Sequence, residues 1–196
     1  DDLPLPDDEG PAPADAGDAP PPGLPGAVAE IRMEKEQEQC KVGDAVHLSF
    51  TAHDEQGEII SDGVKAVFAI VEEPEDSDAC FLLEQDTPGE KTYQFVSEGT
   101  QFLTATLQAP TVSGTVVVEA GVGNNKKSVT VDVLPGTADR IELSAPDLKL
   151  PAGETTTIAA TIYDRYDNPL QGQSIMFIVE DTKGQGGWIE EPAQGV

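Results

Sequence analysis

The chain repeats itself, and the repeat limits what it can fold into more than any other feature does. At an offset of 110 residues Ile31 falls on Ile141, Met33 on Leu143, Gly43 on Gly153, Leu48 on Ile158, Thr51 on Thr161 and Asp54 on Asp164, ungapped for about thirty residues. One single-residue gap then sets Phe68 on Phe177, and a second sets Cys80 on Trp188. Self-similarity at a fixed offset marks a modular array in which each copy is one structural unit. Both copies carry one phrase, TAHDEQGEIISDGVKAVFAIVEE from Thr51 and TIYDRYDNPLQGQSIMFIVED from Thr161. Each is a β-rich run, an Asp-led polar turn, a second β-rich run containing Phe and Val, and an acidic stop.

The first run alternates. Val46, Leu48, Phe50 and Ala52 interleave with His47, Ser49, Thr51 and His53, the period-2 pattern of a strand with one buried face. His47 and His53 share parity on that strand, so both are expected to face solvent. In the second copy Thr156, Ile158, Ala160 and Ile162 take the inward positions. Further apolar or β-branched runs at 29–36, 65–72, 80–83, 91–96, 101–108, 114–122 and 127–134 are separated by Gly, Pro, Asn or Asp clusters. About seven or eight short strands in roughly 110 residues predict an all-β fold of the β-sandwich type.

The opening ADRIELSAPDLKLPAGE, the strand and turn TIYDRYDNPLQG, the strand SIMFIVE, and SEGTQFLTATLQAPTVSGTVVVEAGVG late in the first copy carry a resemblance. Residues 27–196 resemble the bacterial immunoglobulin-like modules repeated in the stalks of invasin- and intimin-type surface proteins. The resemblance implies tandem immunoglobulin-like β-sandwiches, with domain 1 over residues 27–136 and the front half of domain 2 over 137–196. It also implies a non-catalytic stalk or spacer for bacterial adhesion or surface assembly, extracellular or at the cell surface. Its partners would be a protein or glycan on a neighbouring surface, or neighbouring subunits. The family turn runs Asp, two variable residues, Gly, Asn, Pro; the first copy keeps Gly57 but has Glu58 and Ile59, and the second keeps Asn168 and Pro169 but has Asp167. The phrase EEPAQGV follows Ile189 where the first copy still has its last four strands to come. Half a sandwich leaves an uncovered apolar face, to be completed by continuation beyond Val196 or by another chain. The junction from Leu134 to Arg140 is short, so adjacent modules are expected to touch.

Residues 1–26 hold eight Pro, four Gly and seven acids, with no base and no aromatic, too little apolar surface to offset chain entropy. They form an acidic Pro-rich tail or spacer, stiffened towards polyproline II geometry, acting as a stalk or as a passive linker. Thirty-seven acids against eleven Lys and Arg give a net charge of −26, which repels phosphate backbones, so nucleic acid is excluded as a partner. No apolar run approaches the roughly 20 residues of a membrane span, and the N-terminus lacks the basic and apolar regions of a signal peptide, as in a mature or trimmed segment.

Little in the sequence supports catalysis. Only two His are present, on one strand, and no glycine-rich phosphate loop or zinc-type spacing of Cys and His occurs, so no catalytic residue is assigned and no cofactor is expected. The acidic run EEPEDSD offers Glu72, Glu73, Glu75, Asp76 and Asp78 as oxygen ligands for calcium, but lacks the spacing, central Gly and final Glu of an EF-hand loop; a solvated loop is the simpler account. Asp164, Asp167 and Asn168 pose the same choice, and local turn bonds explain them without metal. Cys40 and Cys80 are the only cysteines; in a small β-domain they suggest a disulfide and an oxidising compartment, the alternative being two free buried thiols. Their counterparts Leu150 and Trp188 are expected to pack on one another. Two other functions stay open, a polysaccharide-binding accessory module and a subunit of an extracellular filament. The first needs exposed aromatics in a row, for which Tyr93, Tyr163, Tyr166 and Trp188 are the candidates.

Overall fold

Strand alternation turns directly into layers. The computed structural model describes residues 27–83, 87–99, 102–146, 149–180, 184 and 187, and among them every regular element is a β-strand. One sheet runs β1 (Glu30–Lys35), β3 (Ala45–His53), β8 (Leu103–Gln108), β5 (Cys80–Leu83), β6 (Thr87–Pro88). The facing sheet runs β2 (Gln39–Lys41), β10 (Asn125–Leu134), β9 (Gly114–Val122), β4 (Asp62–Glu72), β7 (Thr92–Glu98). The opening segment is divided between them: β1 pairs antiparallel with β3, then β2 crosses over and pairs parallel to β10. The fold is all-β and immunoglobulin-like.

Val46, Leu48, Phe50 and Ala52 of β3, Val64, Ala66 and Phe68 of β4, and Val116, Val118 and Ala120 of β9 are buried between the sheets. The few aromatics are concentrated rather than scattered. Phe68 of the second sheet stands edge-on to Phe50 and Phe81 of the first, with ring centroids 5.9 and 6.2 Å away, so one ring is clasped by two from across the sandwich. The β9–β10 hairpin closes through Gly123 and Asn124, with Gly123 at φ 58°, the left-handed backbone a tight hairpin needs.

A third sheet of β11 (Ala138–Ser144), β12 (Ala159–Asp164) and β13 (Pro169–Leu170) follows, and it reproduces the first copy in register. Ile31 opposes Ala52 and Met33 opposes Phe50 in the first copy; Ile141 opposes Ile162 and Leu143 opposes Ala160 in the second. The bridge His53–Ile59 recurs as Tyr163–Pro169. A turn in which Asp44 N–H donates to Lys41 O at 3.1 Å around Gly43 (φ 79°) recurs as Glu154 N–H to Pro151 O at 3.1 Å around Gly153 (φ 89°). Cover is what differs. Ile31 and Met33 are 7% and 8% exposed, whereas Ile141 and Leu143 are 57% and 66% exposed. The phrase aligned with β4 is not a strand: Met176 and Ile178 are 82% and 76% exposed, and no counterparts of β4's neighbours β7 and β9 occur among the described residues. Of the expected inward set, Ile162 is buried and Ile158 is not.

Two expectations are corrected. His47 is exposed as expected, but His53 is only 5% exposed. The strand has not reversed, since Val46 to Ala52 keep their inward parity; instead the chain from Asp54 to Ile59 turns back over the outward face at the strand end. The carbonyl of Gly57 can only accept, so His53 Nδ1–H donates to it at 3.1 Å, and Nε2 shares a hydrogen bond with the Thr51 hydroxyl at 3.0 Å. The expected Cys40–Cys80 disulfide is not formed; both thiols are free. Cys40 lies in β2 beside Val133 and is buried in the core, while Cys80 lies in β5 beside Gln108 on the other sheet. Phe81 takes the inward position, so its neighbour Cys80 points to the outer face, away from Cys40. The tail 1–26 and Trp188 lie outside the described residues.

Candidate functional site

The most highly organised polar constellation joins the sandwich to the third sheet. Its base is a turn written twice. In the first copy Asp54 Oδ1 accepts the N–H groups of Gln56 and Glu58, both at 2.9 Å; Gly57 N–H donates to Asp54 O at 3.1 Å, and Asp54 N–H to Glu58 O at 3.0 Å. In the second copy Asp164 Oδ1 accepts from Tyr166 N–H at 2.8 Å and Asn168 N–H at 3.0 Å, with Asp167 N–H to Asp164 O at 3.2 Å and Asp164 N–H to Asn168 O at 3.0 Å. The position before the last is left-handed in both, Gly57 at φ 82° and Asp167 at φ 71°. A short carboxylate two residues from an N–H is the side chain that can close such a turn, which is why Asp leads it.

The second turn does more. Asp164 Oδ2 accepts Gly136 N–H, in the link after β10, at 2.7 Å. A Cβ at Gly136 would stand 3.3 Å from that oxygen and 3.4 Å from a Val42 methyl, so the approach suits glycine. Asn168 reaches the sandwich itself: Nδ2 donates to Thr111 O at 2.8 Å, and Oδ1 accepts Ser113 N–H at 2.8 Å. Asp164 is 0% exposed and Asn168 5%. Burial pushes the Asp164 carboxyl up, but donors from Gly136, the Asn168 side chain, and the Asn168 and Tyr166 backbones outweigh it and hold the group below the ordinary aspartate value. Tyr166 lies against the edge of the sandwich core, and its own guanidinium neighbour Arg165 stacks over its ring at 4.5 Å.

The loop that Asn168 grips is itself held from behind. Asp78 Oδ1 accepts Thr111 N–H at 2.6 Å and the Thr111 hydroxyl at 3.1 Å. Pro74 packs so closely on Gly114 that a Cβ there would lie 2.7 Å from its ring. The acidic segment thus braces the docking loop. Its five acids are not brought together as ligands: Glu73 pairs with Lys91, Asp78 is committed to Thr111, and Asp76 sits in a turn at φ 60°. Among the described residues no group of three metal-binding side chains converges.

Of the aromatics considered for carbohydrate, Tyr93 is half-buried beside Phe81 and Phe95, Tyr163 lies under the Arg140 guanidinium, and Tyr166 is in the joint. These three make no exposed row. Asp164 and Asn168 were legible as turn residues, whereas their reach to Thr111, Ser113 and Gly136 was not. One signal could have shown it: Leu134-Pro135-Gly136 repeats Leu24-Pro25-Gly26 at the same offset, marking the link as part of the unit.

No family model matches the chain, and no curated protein matches it. Among solved structures it is similar to the Escherichia coli adhesin FdeC, at 17% identity and a TM-score of 0.45, over 72% of this chain and 43% of that one. It is also similar to domains 4–9 of the surface layer protein SbsC, at 15% identity and a TM-score of 0.37, over 75% and 21% of the two chains. A cohesin module of a Clostridium perfringens family 33 glycoside hydrolase aligns at 13% identity and a TM-score of 0.33, over 54% and 96%. The chain therefore spans less than half the length of the adhesin and surface-layer chains with which it aligns.

Proposed function

We propose that the chain is a segment of a bacterial cell-surface or secreted stalk, in which stacked immunoglobulin-like modules act as a stiff, non-catalytic spacer for adhesion or surface assembly. The observation that carries this reading is the joint. Two repeated units are linked by a short peptide and tied by hydrogen bonds from Gly136 to Asp164 and between Asn168 and both Thr111 and Ser113, with the Asp164 and Asn168 side chains buried and their partners half-buried. A spacer keeps its reach only if its joints keep their angle, and buried hydrogen bonds at fixed positions do that. On this reading the third sheet is the front half of a second module. Its apolar face of Ile141, Leu143 and Ile158 corresponds to residues that the first module covers with its own second sheet. The acidic Pro-rich residues 1–26 serve as an extended spacer ahead of the first module. The resemblance of the repeat to surface modules supports an extracellular setting, and partners are a protein or glycan on an opposing surface.

The uncovered face favours one second reading, a filament subunit in which a neighbouring chain supplies the cover; exposed apolar sheet faces and open edges are what such assembly uses. Residual dipolar couplings test the stalk. A single alignment tensor should fit residues 30–134 and 138–170 together, and two independent tensors would show a free hinge and remove the rod. Concentration-dependent assembly into long particles would favour the filament.

A further inference from the structure

The two turns share one backbone and one set of internal hydrogen bonds, yet among the described residues only the second holds a neighbour. The difference lies in the last residue, Asn168 in the second turn and Glu58 in the first. We infer that this residue decides whether a module docks a folded module on its N-terminal side: Asn168 admits one, and a glutamate such as Glu58 does not. The inference rests on the stalk reading above and adds the rule by which modules are placed in it.

The chemistry is specific. Docking needs a donor for a backbone carbonyl, here Thr111 O, and an acceptor for a backbone N–H, here Ser113. An amide supplies both from one side chain, and an ionised carboxylate supplies no donor. Docking also buries the position: Asn168 is 5% exposed and lies 3.0 Å from the carboxylate of Asp164, which is fully buried. A glutamate there would set a second negative charge beside the first at a buried position, which is costly unless paired. In the first copy Glu58 is exposed, Asp54 is half-buried, and Asp54 Oδ2 takes part in no hydrogen bond among the described residues. The link peptide does not make the distinction, because Leu-Pro-Gly precedes both modules in the sequence. The partner of an Asn-ended turn is thus the loop end of another immunoglobulin-like module, presenting a carbonyl and an N–H two residues apart.

Amide hydrogen exchange on the full chain tests this with N168E, N168A and E58N. In the unaltered protein the Ser113 and Gly136 amides should be protected. Both Asn168 variants should speed Ser113 exchange by about tenfold or more, with N168E the larger effect and Gly136 following it, while the Tyr166 amide, held by Asp164 within the turn, stays protected. E58N should leave all of these amides unchanged. Ser113 exchange within about twofold of the unaltered protein in both Asn168 variants would overturn the rule while leaving the stalk intact. Ser113 and Gly136 already unprotected in the unaltered chain would overturn the closed joint, and the stalk with it. Loss of Tyr166 protection in N168A would mean that the amide holds the turn rather than the neighbour, and would also overturn the rule.

Discussion

Asp164 concentrates the joint in one carboxylate. Its folded pKa lies below the unfolded value of about 3.9, so its contribution is complete above that pH and disappears as pH falls through the lower folded value. Protection of the Gly136 amide should accordingly persist from neutrality down to roughly pH 5 and decline below about pH 4; a decline centred near neutrality would place the control in another group. Asp164→Asn leaves one of the facing N–H groups without an acceptor and should cost about 1–3 kcal/mol in chemical denaturation of the joint. Cysteine is a second residue-scale test. Two thiols per chain should titrate under denaturing, non-reducing conditions, and Cys40, whose pKa burial raises, should react slowly in the native protein; no free thiol would restore the disulfide. The Asp turns were readable because the carboxylate, the left-handed position and the closing N–H are neighbours in sequence. Asn168's grip on Ser113 was not, because its partner is 55 residues away.

The strands were legible for the same reason of locality. Alternation in β3, β4, β8, β9 and β10 reports burial directly, and their expected runs fall within a few residues of the observed elements. The short β2 and β6 escaped because three or two residues cannot show a period. Cys80 escaped differently: the apolar run 80–83 placed it on a strand but said nothing of which face it occupied, and Phe81 is the side chain buried there. His53 shows the limit of parity at a strand end, where a returning turn covers an outward position. Packing gives the prediction at this scale. Phe68→Ala removes the ring between Phe50 and Phe81 and should destabilise the sandwich by about 3–5 kcal/mol in urea unfolding, whereas Phe102→Ala, at a side chain 58% exposed, should change it by less than about 0.5 kcal/mol.

Across the whole molecule the excess of acids acts on everything at once. At a net charge of −26 self-repulsion opposes compact packing, so the thermal midpoint should rise as sodium chloride is raised from low to moderate concentration; a fall would show that the surface ion pairs matter more. Calcium should add little beyond that screening, about one degree at millimolar concentration, since Glu73 and Asp78 already have protein partners. The division of the opening segment between sheets has a consequence for a tether. Where β2 lies parallel to β10, Gln39, Cys40 and Lys41 face Asp132, Val133 and Leu134, flanked by Asp132 N–H to Glu38 O and Val42 N–H to Leu134 O. Tension entering near Ala27 and leaving near Leu134 would draw these two strands in opposite directions along their own length. Every rung of that patch would then bear load together in shear, and the module would resist being pulled open until the whole patch gave way at once.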